Sequence, residues 1–226
     1  MRYIEKTEPP QSFKRWKRPY EKGVKGGERK PQPTWEVFKY DHRKIFDDLT
    51  QSLLAEQGNI CCYCGIRIGF GKAQIEHFKP KSKYNKLTYD YLNLLASCTS
   101  MENCGEAKED WFDAGKTISP LNEACEKRFR FLDNGWILPA SANDEGASET
   151  ISRLKLNSRR LIALRKNAVS EAFGILFESD FQNHELGRAA KAATEERFKQ
   201  YAEKDSTGEF KPFCFAVTSV LKEYIE

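Results

Sequence analysis

Between Thr34 and Gly58 the apolar residues Phe38, Ile45, Phe46, Leu49 and Leu53 recur at helical spacing. Thr34 is placed to cap the start and Gly58 to stop the end, so the pattern predicts a helix. The period then changes within "NICCYCGIRIGFGKAQIEHF". Ile66 and Ile68 flank Arg67, Gly69-Phe70-Gly71 can turn, and Gln74-Ile75-Glu76-His77 can return antiparallel. A hairpin hanging from a cysteine knuckle is expected. Residues 78–88 read as a basic loop, and "YDYLNLLASC" leads to a second cysteine pair. Further on, "KRFRFLDNGWILPA" reads as two strands about a tight turn at Asp133-Asn134-Gly135. After the polar "SANDEGASE", helical patterns occupy 148–156, 158–181 and 185–204. A last helix begins near Pro212 and offers Phe215, Val217, Val220, Leu221 and Tyr224 for packing. The fold class expected is α+β, a small strand-and-metal core in a mainly helical chain.

The first 33 residues break the pattern. Pro9, Pro10, Pro19, Pro31 and Pro33 stand with Gly23, Gly26 and Gly27, a composition that favours an extended arm. Residues 1–30 carry ten Lys/Arg against four Glu, although the whole chain of 226 residues is only +4. Bulk charge therefore does not declare a nucleic-acid binder, but the arm, with Trp16 and Tyr20 among its charges, is placed to contact nucleic acid or a protein. Three segments are expected: the basic arm at 1–33, a helix and metal core at 34–120, and a hairpin with helices at 121–226 that is suited to docking a partner.

No stretch of about 18 apolar residues and no apolar leader occur, so the reading is a soluble cytoplasmic protein. Its seven cysteines are then mostly reduced, and four fall as pairs within 61–104. Cys61 and Cys64 have the spacing that lets two thiolates reach one ion from a tight turn; Cys98 and Cys104 form a looser pair that completes a four-sulfur zinc site. The bland alternative is buried thiols acting as small hydrophobes. Cys62, Cys125 and Cys214 read as core or spare thiols, with Cys62 or Cys125 able to replace one of the four ligands.

"QIEHFKPKS" adds a carboxylate and an imidazole side by side at a strand end. A structural zinc knuckle needs neither. Hydrolysis of a phosphodiester needs both kinds of group: a neutral imidazole to take a proton from water, and a carboxylate to hold Mg²⁺ or Mn²⁺ against the growing charge. In a regular strand Glu76 and His77 point to opposite faces, so one site can use both only if the strand ends or twists there, as Lys79-Pro80-Lys81 predicts. Lys79, Lys81 and Lys83 offer phosphate contacts beside them. His42 and His184 read as ordinary helix histidines. No phosphate-binding loop of the G-x-x-x-x-G-K-S/T kind is present, so any ATP use would belong to another chain.

The order Cys-x-x-Cys, hairpin, acid-His-x-x-Pro, Asn-Leu-Leu and second cysteine pair resembles the HNH endonucleases, whose core is the ββα-metal finger. "MRYIEKTEPP", "ISPLNEACEKRFRF", "NGWILP" and "ASETISRLKLNSRRLIALRKNAV" are similar to the PtuB-like HNH proteins of Septu-type and retron antiphage systems. The resemblance implies His77 as general base, Glu76 as ligand of the catalytic Mg²⁺ or Mn²⁺, and Asn93 as the residue that orients the base. It also implies a separate structural Zn²⁺ on Cys61, Cys64, Cys98 and Cys104. Where the family places its last His or Asn this chain has Gly105, leaving Asn103 and Glu106 as substitute ligands. The partners implied are a nucleic-acid substrate, a PtuA-like ABC/SMC-type ATPase and, in retron versions, a reverse transcriptase with its multicopy single-stranded DNA. Two rival functions stand beside it. Gly105 motivates a zinc-stabilised nucleic-acid adaptor without cleavage; the other rival is a stand-alone, modification-dependent restriction endonuclease.

Overall fold

The computed structural model describes residues 1–22, 30–174 and 184–225. Its elements run α1 (Gln11–Lys22), α2 (Trp35–Asp41), α3 (Arg43–Glu56), β1 (Ala73–His77), β2 (Leu94–Cys98), α4 (Gly105–Lys108), β3 (Phe129–Phe131), β4 (Ile137–Pro139), α5 (Glu145–Arg153), α6 (Arg159–Phe173), α7 (His184–Ala202) and α8 (Cys214–Ile225). This is a mainly helical α+β chain with two small antiparallel sheets among the described residues. None of the described helices is long and apolar enough to cross a membrane.

The helix expected from Thr34 starts there, because the Thr34 hydroxyl accepts from the Val37 N–H at 3.3 Å. It breaks into α2 and α3 at His42, whose backbone is not helical (φ −118°, ψ 41°). Gly58, in the left-handed region at φ 59°, ends α3, and the Asn59 N–H reaches back to the Leu54 carbonyl at 2.9 Å.

Two expectations are corrected. The first is the arm: residues 11–22 are helical, and Met1, Ile4, Phe13 and Trp16 are buried. Trp16 is 4.3 Å from the Phe38 ring and 4.9 Å from Tyr89, so it fills the core rather than meeting a partner. Phe13, Trp16 and Tyr20 share one face at i, i+3 and i+7, a stripe hidden by the surrounding charge and proline. Gly23, Gly26 and Gly27 of the expected arm lie outside the described residues, as do residues 175–181 of the expected long helix.

The second correction concerns the hairpin. β1 does not pair with 66–68; it pairs antiparallel with β2, with Glu76 opposite Leu95 and His77 opposite Leu94. Arg67 instead bridges back to Ile60, closing the knuckle around Cys61 and Cys64. β2 is buried throughout, so its sequence lacks the alternation that marks a half-exposed strand. The β3–β4 hairpin about Gly135 (φ 88°) forms as expected. Behind it, the buried guanidinium of Arg165 on α6 donates to the carbonyls of Gly135 and Leu156, each at 2.7 Å. These bonds tie the C-terminal helices to the hairpin.

Candidate functional site

The sulfurs of Cys61, Cys64, Cys98 and Cys104 all lie within 4.8 Å of one another, and all four residues are buried. Four thiolates at about 2.3 Å from one zinc ion stand about 3.8 Å apart in a tetrahedron, and the Cys64 and Cys98 sulfurs are 4.0 Å apart. The Cys98 N–H donates to the Cys61 sulfur at 3.3 Å. Burial opposes a thiolate at Cys61, yet hydrogen bonds from the thiols of Cys104, Cys62, Cys64 and Cys98 bring its pKa well below the ordinary value. Cys104 holds φ 59°, a backbone conformation that costs a non-glycine residue and is maintained by the surrounding knuckle. The donor set and its enclosure are consistent with a structural zinc site; Cys62, Cys125 and Cys214 are buried outside it.

β1 places Glu76 and His77 next to this cluster, with side chains in different surroundings. On one side, Glu76 Oε1 accepts from the Tyr63 hydroxyl at 3.0 Å and pairs with the Lys108 ammonium at 2.8 Å. Burial raises the Glu76 pKa, while Lys108 and Tyr63 pull it down. On the other side, the His77 ring stands edge-on to Trp35 at 4.5 Å, and its Nε2 lies 3.0 Å from the Thr88 carbonyl. A carbonyl only accepts, so Nε2 must carry the proton and Nδ1 is the basic nitrogen. Burial lowers the His77 pKa to about 4, with Lys81 and Lys108 adding to the effect, so the ring is neutral at pH 7.

Asn93 does not contact the imidazole. It grips the segment that follows His77: its Oδ1 accepts from the Lys79 N–H at 2.7 Å, and its Nδ2 donates to the carbonyls of Lys79 (3.0 Å) and Leu87 (3.2 Å). That grip sets both ends of the loop that delivers the Thr88 carbonyl to His77. The three loop lysines diverge. Lys79 lies 5.5 Å from the Phe112 ring centre, Lys83 donates to the Asp110 carbonyl at 2.8 Å, and exposed Lys81 is the one whose charge acts on His77.

No protein-family model matches the sequence. Over 155 residues, 64% of this chain and 73% of the other, it is 30% identical to a protein of Vibrio cholerae serotype O1 biovar El Tor named "Retron Vc95 putative HNH endonuclease". The chain belongs to the HNH endonuclease family.

Within that family's framework, the ligands expected for a divalent ion do not assemble here. Asn103 is fully buried with its Oδ1 toward the Cys98 sulfur (3.8 Å) and its Nδ2 donating to the Ser158 hydroxyl (3.3 Å). Glu106 is exposed on α4. Gly105 is closely packed by side chains: a Cβ there would lie 2.7 Å from Gln74 Nε2, 2.8 Å from Glu76 Oε2 and 3.0 Å from the buried, unpartnered Ser97 hydroxyl, and these side-chain ends would have to shift to admit it. Glu76 already has a cation in Lys108, which is 2% exposed and also donates to the His77 carbonyl at 3.1 Å. The residues present do not fit the expected divalent set, because the one carboxylate among them that is buried at the strand is neutralised by an ammonium.

Lys108, Tyr63 and Thr88 were not legible as site residues. Lysines on short helical turns are ordinarily solvated, and a main-chain carbonyl leaves no trace in residue type.

Proposed function

We propose that this chain is the nuclease of a retron-type antiphage assembly and hydrolyses phosphodiester bonds of nucleic acid with His77 as general base. The supporting observation is the tautomer: with Nε2–H donated to the Thr88 carbonyl, Nδ1 is the acceptor left for a water proton. The low pKa keeps that nitrogen unprotonated near pH 7. Water gives its proton to Nδ1 as its oxygen bonds to phosphorus, and the bond to the leaving oxygen breaks in line on the far side, that oxygen keeping the electron pair and taking a proton from solvent. Asn93 acts through the loop it holds, as a positioning residue. Lys81 is the loop cation whose charge acts on the base, and it meets charge on the phosphate. Lys108 occupies Glu76 Oε1, and these steps are those of the protein's own groups.

The retron in the name of the Vibrio protein supports an assembly of this kind. A PtuA-like ATPase, a reverse transcriptase and its single-stranded DNA belong to this proposal through the family resemblance. The fitting experiment is cleavage of plasmid DNA and of tRNA by the chain purified with the proteins it co-purifies with, in Mg²⁺, in Mn²⁺ and in EDTA. His77→Ala should cut about 10²- to 10⁴-fold more slowly with zinc content unchanged. Equal cutting by the variant would remove His77 from the reaction.

The packed side of Gly105 and the Glu76–Lys108 pair favour a second reading, a zinc-stabilised adaptor that binds nucleic acid without cleaving it. Wild-type protein that binds but cuts no faster than His77→Ala in every arm would select it.

A further inference from the structure

Phe70 has no role in the site described above. It is 52% exposed at the tip of a turn closed by the Lys72 N–H on the Gly69 carbonyl at 2.9 Å. Its glycine neighbours face open space: a Cβ on Gly69 or Gly71 would meet nothing within 4 Å. The backbone on either side of the half-exposed ring is therefore uncrowded. It stands between two clefts and lines both.

The first cleft, of about 420 Å³, runs between α2–α3 and β1 and carries Lys39, Arg43 and Lys81. Trp35, part of its wall, also packs edge-on against His77, with ring centres 4.5 Å apart. The second, of about 740 Å³, carries Arg67, Lys72 and Lys204. Together the clefts hold six cations against the carboxylates of Glu36, Asp47 and Glu209. Asp47 and Glu209 are paired with Arg43 at 2.9 Å and Arg67 at 3.0 Å, and Lys204 donates to the carbonyls of Ala55 and Glu56, so Lys39 and Lys81 in the first cleft and Lys72 in the second are the cations outside these contacts.

A half-exposed aromatic face between two cationic clefts matches one ligand chemistry. An unpaired polynucleotide supplies a base whose π-face is free to stack, and phosphates on either side of it at the spacing of the backbone. A base inside a duplex has both faces covered by its neighbours and cannot use the ring without being extruded. We infer that Phe70 is a stacking platform for an unpaired base of the substrate strand, whose phosphates run through the two clefts and bring the next linkage to His77. The inference rests on the nuclease reading for its direction toward His77, and on the clefts alone for the binding.

Binding is measured by fluorescence anisotropy with full-length His77→Ala protein, using labelled twelve-nucleotide single-stranded DNA, single-stranded RNA of the same sequence and the DNA duplex. The single strands should bind at least tenfold more tightly than the duplex, and the ratio between the two single strands identifies the sugar preferred. Adding Phe70→Ala should weaken single-strand binding about tenfold or more, the scale of one lost base–aromatic stack. Adding Phe70→Trp should keep the affinity and give an indole fluorescence that single strands quench. Exposure of the ring makes both variants compatible with folding, which circular dichroism verifies. Phe70→Ala binding within twofold of its parent, or a duplex bound as tightly as the single strands, overturns the inference. Cleavage takes no part in this assay. A chain that binds as described but never cuts refutes only the nuclease reading, whereas one that cuts with Phe70 dispensable for binding refutes only the platform.

Discussion

A histidine packed on tryptophan and bonded to a main-chain carbonyl resists protonation, and His77 is in that position. Its folded pKa of about 4 lies below the unfolded value of about 6.5. Between these values the unfolded chain takes up a proton that the folded chain refuses. The His77 contribution therefore destabilises the fold as pH falls from about 6.5 to about 4, by up to about 3 kcal/mol. Urea unfolding should show a steeper loss of stability over that range for wild type than for His77→Gln; identical slopes would mean an ordinary histidine. Cleavage, for the same reason, should hold from pH 8 to near 5 before its acid limb begins. Glu76 and His77 were visible as a pair in the sequence because acid and imidazole are adjacent there. What separates their surroundings is the alternation of a strand that stays regular to its last residue, which puts Glu76 with Tyr63 and Lys108, and His77 with Trp35 and the Thr88 carbonyl.

At the scale of elements, the metal knuckle was the most legible part of the chain. Thiol spacing is a local property, and the four sulfurs that converge are the four expected from it. The strands around them were less so. The 66–68 alternation is too short to outcompete β2, whose fully apolar face gains more from burial against β1 and α3. Because β2 ends at Cys98, a zinc ion on the four thiolates would supply folding energy to the small sheet. Metal analysis should find one zinc per chain. Cys98→Ser, or removal of zinc by a strong chelator, should abolish cooperative thermal melting of the 60–108 region, followed by hydrogen exchange. Full protection of β1 and β2 without zinc would show that the sheet stands by itself.

Across the whole molecule, the N-terminal segment closes the core rather than reaching away from it. Lys6 pairs with Glu56 at 2.7 Å and lies 3.8 Å from the Tyr91 ring centre, while the Ile4 N–H donates to the Pro120 carbonyl at 2.8 Å. These contacts span residues far apart in sequence, so no local pattern announces them. Trp16 is 9% exposed among Phe13, Phe38 and Tyr89, and Trp16→Ala should cost about 3–5 kcal/mol in chemical denaturation. A loss below about 1 kcal/mol would restore the picture of a detached arm.

Sequence by itself determined what depends on near neighbours: the capped start at Thr34, the stop at Gly58, the Gly135 turn and the thiol spacing of the knuckle. These follow from hydrogen bonds and backbone geometry within a few residues. Only the tertiary structure decided the partner of β1, the burial of α1, the ammonium beside Glu76 and the carbonyl that sets the tautomer of His77. Each of those rests on groups brought together from distant segments, where burial and electrostatics outweigh local preference.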